Sequence, residues 1–197
     1  MSEIELPRIS LKFPTPPGWV EAALSDFDSF LVDHAACERK ASATALMFVV
    51  RYPDRTEITE AMIQLSREEL MHFHQVWRIL QKRGQRLGPD HRTHYVNSLL
   101  KLERMHRDFG FLDRLLIFGI VEARGCERFA MIGENHPEQE YRDFYRGLAE
   151  AEERHHDLFL NLAFKYFTKE QVLDRLEELL IKEAEIIQNL PHRASVH

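Results

Sequence analysis

Apolar residues recur along this chain at spacings of three and four, the period of a helix with one buried side. Met62, Leu65, Phe73 and Val76 fall on one such face, Tyr145, Leu148, Phe159 and Leu162 on another, and Leu115, Phe118 and Phe129 on a third. No segment combines sustained two-residue alternation with strand composition, so the pattern predicts helix almost throughout. Breakers set the boundaries. The Pro-rich stretch F-P-T-P-P-G-W at 13–19 is expected to be extended, and a first helix to run from Val20 to Arg51, stopped by Y-P-D at 52–54. A second is expected from Thr56 to Arg83, ended by Gly84. Residues 84–95 read as a loop and Val96 to Arg107 as a shorter helix. The third long helix is expected from Phe111 to Gly133. N-H-P-E at 135–138 breaks it and leads, through Asn135 or His136 before Pro137, into a fourth that runs to Phe167. T-K-E-Q at 168–171 is a capping box for a last helix to Asn189, and P-H-R-A-S-V-H reads as a frayed tail. No linker divides the chain, which predicts a single domain over residues 1–197.

Acidic residues interrupt the apolar faces in a pattern that occurs twice. Glu38 is followed 31 residues later by Glu69 and His72 in E-L-M-H, and Glu122 is followed 30 residues later by Glu152 and His155 in E-E-R-H. Glu-x-x-His places a carboxylate and an imidazole on one side of a helix, one turn apart. If successive long helices run antiparallel, the mid-points meet and all six side chains converge at one depth. Two lone glutamates and two Glu-x-x-His pairs are the ligand set of a di-iron or di-manganese carboxylate bundle. Carboxylates on apolar faces are costly unless paired or metal-bound, and two divalent cations cancel four such charges. Carboxylate and imidazole ligands suit Fe(II) or Mn(II), whereas a catalytic zinc site needs no cage of this size.

Several nearby residues compete for these roles. Glu153 and His156 share the spacing, but their side of the helix carries Arg146, Ala149, Glu150 and Asp157 and is expected in water. Glu127 lies only 25 residues before Glu152, beside Arg124 and Glu134, and Glu122 is preferred. His34, one turn before Glu38, reads as a hydrogen-bonded core histidine, with an extra ligand or a partner of Glu38 as the other readings. Tyr145 reads as a core tyrosine. Gly119 and Gly125 flank Glu122 and fit either close helix packing or room for dioxygen or substrate.

Composition narrows the function. Hydrophobic residues make up 44% of 197, enough for a packed core and too many for disorder. The longest apolar run, L-L-I-F-G-I-V at 115–121, is too short to span a membrane, and M-S-E-I-E-L-P-R lacks the apolar centre of a signal peptide. Cys37 and Cys126 are far apart and read as packed, reduced thiols, which makes the cytoplasm the expected location. The net charge of −6 argues against a generally nucleic-acid-coated surface, yet residues 78–107 hold eight lysines and arginines against two acids. With His91, His94, Tyr95 and His106, that segment could meet a phosphate backbone or be a solvated helix face.

The stretches D-H-A-A-C-E-R-K-A-S at 33–42, S-R-E-E-L-M-H-F at 66–73, V-E-A-R-G-C-E-R-F at 121–129 and A-E-E-R-H-H-D at 151–157 resemble the tRNA 2-methylthio-N6-isopentenyl-adenosine hydroxylases. The resemblance runs from about Leu31 to the last helix. It implies an all-α, ferritin-like four-helix bundle with additional short and C-terminal helices. It also implies a non-haem di-iron monooxygenase that hydroxylates the isopentenyl group of the hypermodified adenosine in the tRNA anticodon loop. Dioxygen is the implied co-substrate, and an external ferredoxin or reductase the implied source of two electrons. By the same resemblance, Glu38, Glu69, His72, Glu122, Glu152 and His155 are the iron ligands, with Glu69 and Glu152 bridging and Glu38 and Glu122 terminal. The basic segment 78–107 becomes the natural place for RNA. The rival readings on the same scaffold are an iron-storage or a peroxide-detoxifying protein.

Overall fold

The structure, a computed structural model, describes residues 8–89 and 93–197. The N-terminal stretch M-S-E-I-E-L-P lies outside the described residues, as do Asp90, His91 and Arg92 of the basic segment. Seven helices account for the regular structure, and no strand occurs among the described residues. They are α1 (Gly18–Ser25), α2 (Phe27–Arg51), α3 (Thr56–Lys82), α4 (His94–Leu100), α5 (Arg107–Asn135), α6 (Gln139–Tyr166) and α7 (Lys169–Gln188). No helix is long and apolar enough to cross a membrane. The chain groups into two compact units, residues 17–92 with 192–196, and residues 1–16 with 93–191 and 197.

In the first unit α2 and α3 form an antiparallel hairpin. Tyr52 N donates to Phe48 O at 2.9 Å, closing α2 one residue before Pro53, and Arg55 N returns to Tyr52 O at 3.1 Å. Mid-way along the pair, Ser42 Oγ donates to Ser66 O at 2.8 Å. Small side chains at this point let two helices approach closely without leaving a hydroxyl unsatisfied. The first helix does not run unbroken from Val20 to Arg51 as expected. It breaks at Asp26, whose backbone leaves the helical region and whose carboxylate accepts from Ser29 N at 3.2 Å, capping α2. Nor is residue Gly18 extended, since α1 begins there. Gly84 ends α3 as expected, with φ of +69°. The C-terminal residues are not frayed. Val196 is buried, its N–H donates to Asp33 at 2.7 Å, and Ser195 O accepts from Trp19 Nε1 at 3.0 Å.

In the second unit α5 and α6 pair closely and α7 follows through the expected capping box, Thr168 with Gln171. A Cβ on Gly119 would fall 2.8 Å from Ile9 Cδ1 and 3.3 Å from Phe159 Cβ, so this glycine serves close packing. Gly125 is less constrained, its nearest neighbour being Glu152 Cγ at 3.9 Å. Several boundaries differ from expectation. Helix α4 starts at His94 and stops at Leu100, and α5 begins at Arg107 because His106 Nδ1 accepts from Asp108 N and Phe109 N at its start. Helix α6 begins at Gln139, after His136 Nδ1 has accepted from Glu138 N at 3.0 Å.

Candidate metal centre

The α2–α3 unit brings Glu38, Glu69 and His72 together. Each offers a ligand atom within 4.8 Å of the other two, and all three side chains are buried. Glu38 stands in the middle of α2, and Glu69 and His72 occupy successive turns in the middle of α3. His72 Nδ1 lies 3.6 Å from Glu38 Oε2 and 3.5 Å from Glu69 Oε2. Burial on its own pushes the imidazole towards its neutral form. The carboxylates of Glu38 and Glu69 outweigh that cost and raise its pKa to about 10. His34, fully buried one turn before Glu38, places Nε2 2.6 Å from Glu38 Oε1. It is therefore the partner of a candidate ligand and fixes the orientation of that carboxylate.

The α5–α6 unit repeats the arrangement. Glu122, Glu152 and His155 each offer a ligand atom within the same 4.8 Å. His155 Nδ1 lies 3.3 Å from Glu152 Oε2, and both side chains are buried. Glu122 is half-buried, whereas Glu38, Glu69 and Glu152 are buried.

The competing residues are placed elsewhere. Glu127 accepts from Thr15 N at 3.1 Å and from Thr15 Oγ1 at 2.6 Å, and it pairs with Arg124. Glu153 is surface-exposed beside Arg8. His156, expected in water, is buried, with Nδ1 3.3 Å from Asp157. Tyr145 is a core residue whose ring packs 5.6 Å from that of Phe129. Both cysteines are free thiols. Burial pushes Cys37 well above the ordinary thiol range and Cys126 to about 11, which keeps them protonated and unreactive near neutral pH. Within the basic segment, Arg104 is tied to the buried Asp113 and Arg83 to Asp28, while Lys82, Arg86 and Arg107 are exposed.

Sequence reasoning missed two buried ionic clusters in the second unit. Arg124, named from the sequence only as a neighbour of Glu127, is fully buried. Its guanidinium donates to Glu183 Oε1 from Nε at 3.0 Å and from Nη2 at 2.7 Å, and to Phe13 O at 2.8 Å. Tyr95 Oη donates to the same glutamate oxygen at 2.8 Å. Asp113, also fully buried, accepts from Arg104 and Arg175. The only signal in the sequence was an arginine or aspartate placed among apolar neighbours on α5.

Known proteins match this chain over most of its length. A family model described as tRNA-(MS[2]IO[6]A)-hydroxylase (MiaE) matches residues 4–197. The tRNA 2-(methylsulfanyl)-N(6)-isopentenyladenosine(37) hydroxylase of Pseudomonas putida is 37% identical over 184 residues, covering 93% of this chain and 89% of that protein. The protein of the same description from Salmonella typhimurium is 26% identical over 228 residues, covering 90% and 83%. Among solved structures, Protein 43 with aldehyde deformylating oxygenase activity from Synechococcus is 34% identical, with a TM-score of 0.91 over 95% of this chain and 94% of that one. The fold is accordingly all-α and ferritin-like. On the match along nearly its whole length, the chain belongs to the tRNA-(MS[2]IO[6]A)-hydroxylase (MiaE) family.

Proposed function

We propose that this protein is a non-haem di-iron monooxygenase that hydroxylates the isopentenyl group of 2-methylthio-N6-isopentenyl-adenosine in tRNA. The observation that carries the reading is the pair of Glu, Glu, His clusters, one in each unit of a chain of the hydroxylase family. The donors fit the metal. Four carboxylates and two imidazoles match two Fe(II) ions in charge and in ligand hardness.

In this reading the chain acts as one domain, and Glu38, Glu69, His72, Glu122, Glu152 and His155 together hold the two ions. By the family resemblance, Glu69 and Glu152 would be the ligands shared by the two ions, with Glu38 and Glu122 each serving one. The iron pair would supply the activation of dioxygen, one oxygen atom entering the C–H bond to give C–OH and the other leaving as water, with two protons and with two electrons from an external ferredoxin or reductase. The protein does the rest. His34 holds one oxygen of Glu38 in place through a 2.6 Å contact and leaves the other turned towards His72. Met62 and Leu65 on α3 and Phe159 and Leu162 on α6, which share helix faces with the candidate ligands, are buried and keep bulk water from those carboxylates and imidazoles. The cytoplasm, where tRNA and reductants are found, is the location that suits this chemistry.

The test is mass spectrometry of nucleosides from isopentenylated, methylthiolated tRNA after incubation with iron-loaded, reduced protein and dioxygen. A gain of one oxygen on the hypermodified adenosine is expected. Bound iron and dioxygen consumption with no such gain would overturn the tRNA assignment while keeping the iron site. The family match favours hydroxylation over iron storage or peroxide removal.

A further inference from the structure

A cavity of about 240 Å³ opens on the α2–α3 unit, and its walls describe a ligand. Helix α2 contributes Val32, Ala35, Ala36 and Arg39, a stripe at helical spacing, and α3 contributes Phe73. Leu87 and Gly88, from the loop after α3, close it on the outside. Two of its lining residues are helix neighbours of candidate ligands. Ala35 stands one turn before Glu38 on α2 and Phe73 one turn after Glu69 on α3, spacings that put side chains about 5–6 Å apart at Cβ.

The loop over this cavity is fixed in place. Gly84 turns the chain at the end of α3 with positive φ, and Asp28 at the start of α2 accepts from Arg83 Nε and from Gln85 Nε2, the latter at 2.9 Å. Gly88 then lies against α2 so closely that a Cβ there would fall 2.8 Å from Val32 Cγ1. The loop and the end of α3 are also uniformly basic. Arg78, Lys82, Arg83 and Arg86 occur between residues 78 and 88 with no acidic residue among them. A half-open cavity walled mainly by apolar side chains, with one guanidinium in its wall and basic residues at its edge, suits an apolar group carried on a polyanion. A cavity of about 150 Å³ already accommodates a benzene ring, so this one has room for a branched five-carbon chain and part of the ring that bears it.

We propose that this cavity receives the prenylated edge of the modified adenine, with Arg39 and the basic loop holding the nucleotide and its neighbouring phosphates. Val32, Ala35, Phe73 and Leu87 enclose the hydrocarbon chain and its methylthio neighbour. Arg39 lies beside the purine, where a guanidinium can stack on the ring or pair with a phosphate. The inference rests on the tRNA hydroxylase reading above, and it assigns to named residues the selection of a prenylated over an unmodified adenosine.

The experiment compares wild type with Ala36→Trp, which fills the cavity from its wall, and with Leu87→Ala, which removes an exposed roof side chain and leaves the helices untouched. The substrate is an anticodon stem-loop carrying 2-methylthio-N6-isopentenyl-adenosine, and iron per chain is measured alongside KM and kcat. The expected result is a KM at least tenfold higher for Ala36→Trp and several-fold higher for Leu87→Ala, both with wild-type iron content. If Ala36→Trp misfolds and loses iron, Leu87→Ala alone decides. Unchanged KM in an iron-replete variant, with wild type active, overturns the cavity assignment and leaves the hydroxylase reading intact. A wild type that binds iron and does not oxidise the stem-loop overturns the reading itself, and the inference with it.

Discussion

The two units of this molecule carry the same three-residue cluster and surround it differently. Glu38 in the α2–α3 unit is buried and has His34 four residues earlier, while Glu122 in the α5–α6 unit is half-buried and has Phe118 at the matching position. Around the second cluster the helix positions are locked by buried ionic contacts, with Arg124 held by Glu183 and Phe13 O, and Asp113 held by Arg104 and Arg175. The first unit carries the cavity described above, and Leu46, Met47, Val50, Leu70 and Met71 of its hairpin are exposed. The repeated motif thus sits in two different settings, one of them braced by buried ion pairs.

The largest effects test what the units share. Glu69→Ala and Glu152→Ala are each expected to lower bound iron and abolish hydroxylation, by more than the 10–100-fold that follows loss of a residue that only orients a ligand. Iron per chain and product formation measure this. Full activity with full iron in either variant would break the equivalence of the two clusters. The bracing is tested next. Asp113→Ala removes the partner of two arginines in a buried position, which typically costs about 3–5 kcal/mol, and thermal unfolding should show it. Burial alone would raise the Asp113 pKa, but hydrogen bonds from Arg104 and Arg175 outweigh it and hold the carboxyl below its ordinary value. A depressed folded-state pKa contributes stability that is complete above the usual carboxylate range and is lost as pH falls through the depressed value. Melting temperature followed from pH 7 into acid should therefore drop less steeply in Asp113→Asn than in wild type. Parallel curves would remove Asp113 as an acid-sensitive brace.

The asymmetry itself is tested by His34→Leu against Phe118→Leu. The first is expected to weaken iron binding about 10–100-fold because Glu38 loses the contact that orients it. The second touches no ligand hydrogen bond and should leave iron affinity near wild type. Equal losses in the two variants would mean that packing, and not the His34 contact, sets the geometry.

Much of this was legible from periodicity and motif. Helical spacing with firm breakers located α3 and α7 to within a residue or two, because Gly84 and the Thr168 capping box act locally. The break at Asp26 was hidden because apolar spacing continues smoothly from Ala23 to Phe27 and Phe30, and the interruption comes from one side chain capping Ser29. The start of α5 was misplaced because His106 caps through a ring nitrogen, a role outside the usual Ser, Thr, Asp and Asn set. Each candidate cluster was legible because a Glu-x-x-His pair fixes two side chains on one helix face before any tertiary contact is known. The arginine clusters were not. An arginine among apolar neighbours reads alike whether it reaches water or a partner 59 residues away, as Arg124 reaches Glu183. His156 was placed in water by the same reasoning, from the charges on its own helix alone, when burial depends on what packs against that helix.

The smallest effects separate two ion pairs that resemble each other on paper. Arg8 pairs with Glu153 in one unit and Arg83 with Asp28 in the other, each across an accessible surface. Exposed pairs of this kind contribute about 0.2–1 kcal/mol, so Arg8→Ala and Asp28→Ala should both leave the melting temperature nearly unchanged. Their consequences for turnover differ. Glu153 lies outside both clusters, and Arg8 otherwise reaches Asp157 at 3.8 Å, one turn further along α6. Asp28 holds both Arg83 and Gln85, and through them the loop that sets Leu87 and Gly88 over the cavity. Asp28→Ala is expected to raise KM for the stem-loop a few-fold with iron content and kcat little changed, and Arg8→Ala to alter neither. A loop held mainly by the Gly88–Val32 contact would instead leave KM untouched in Asp28→Ala, and the tether would then be a surface ion pair like the other.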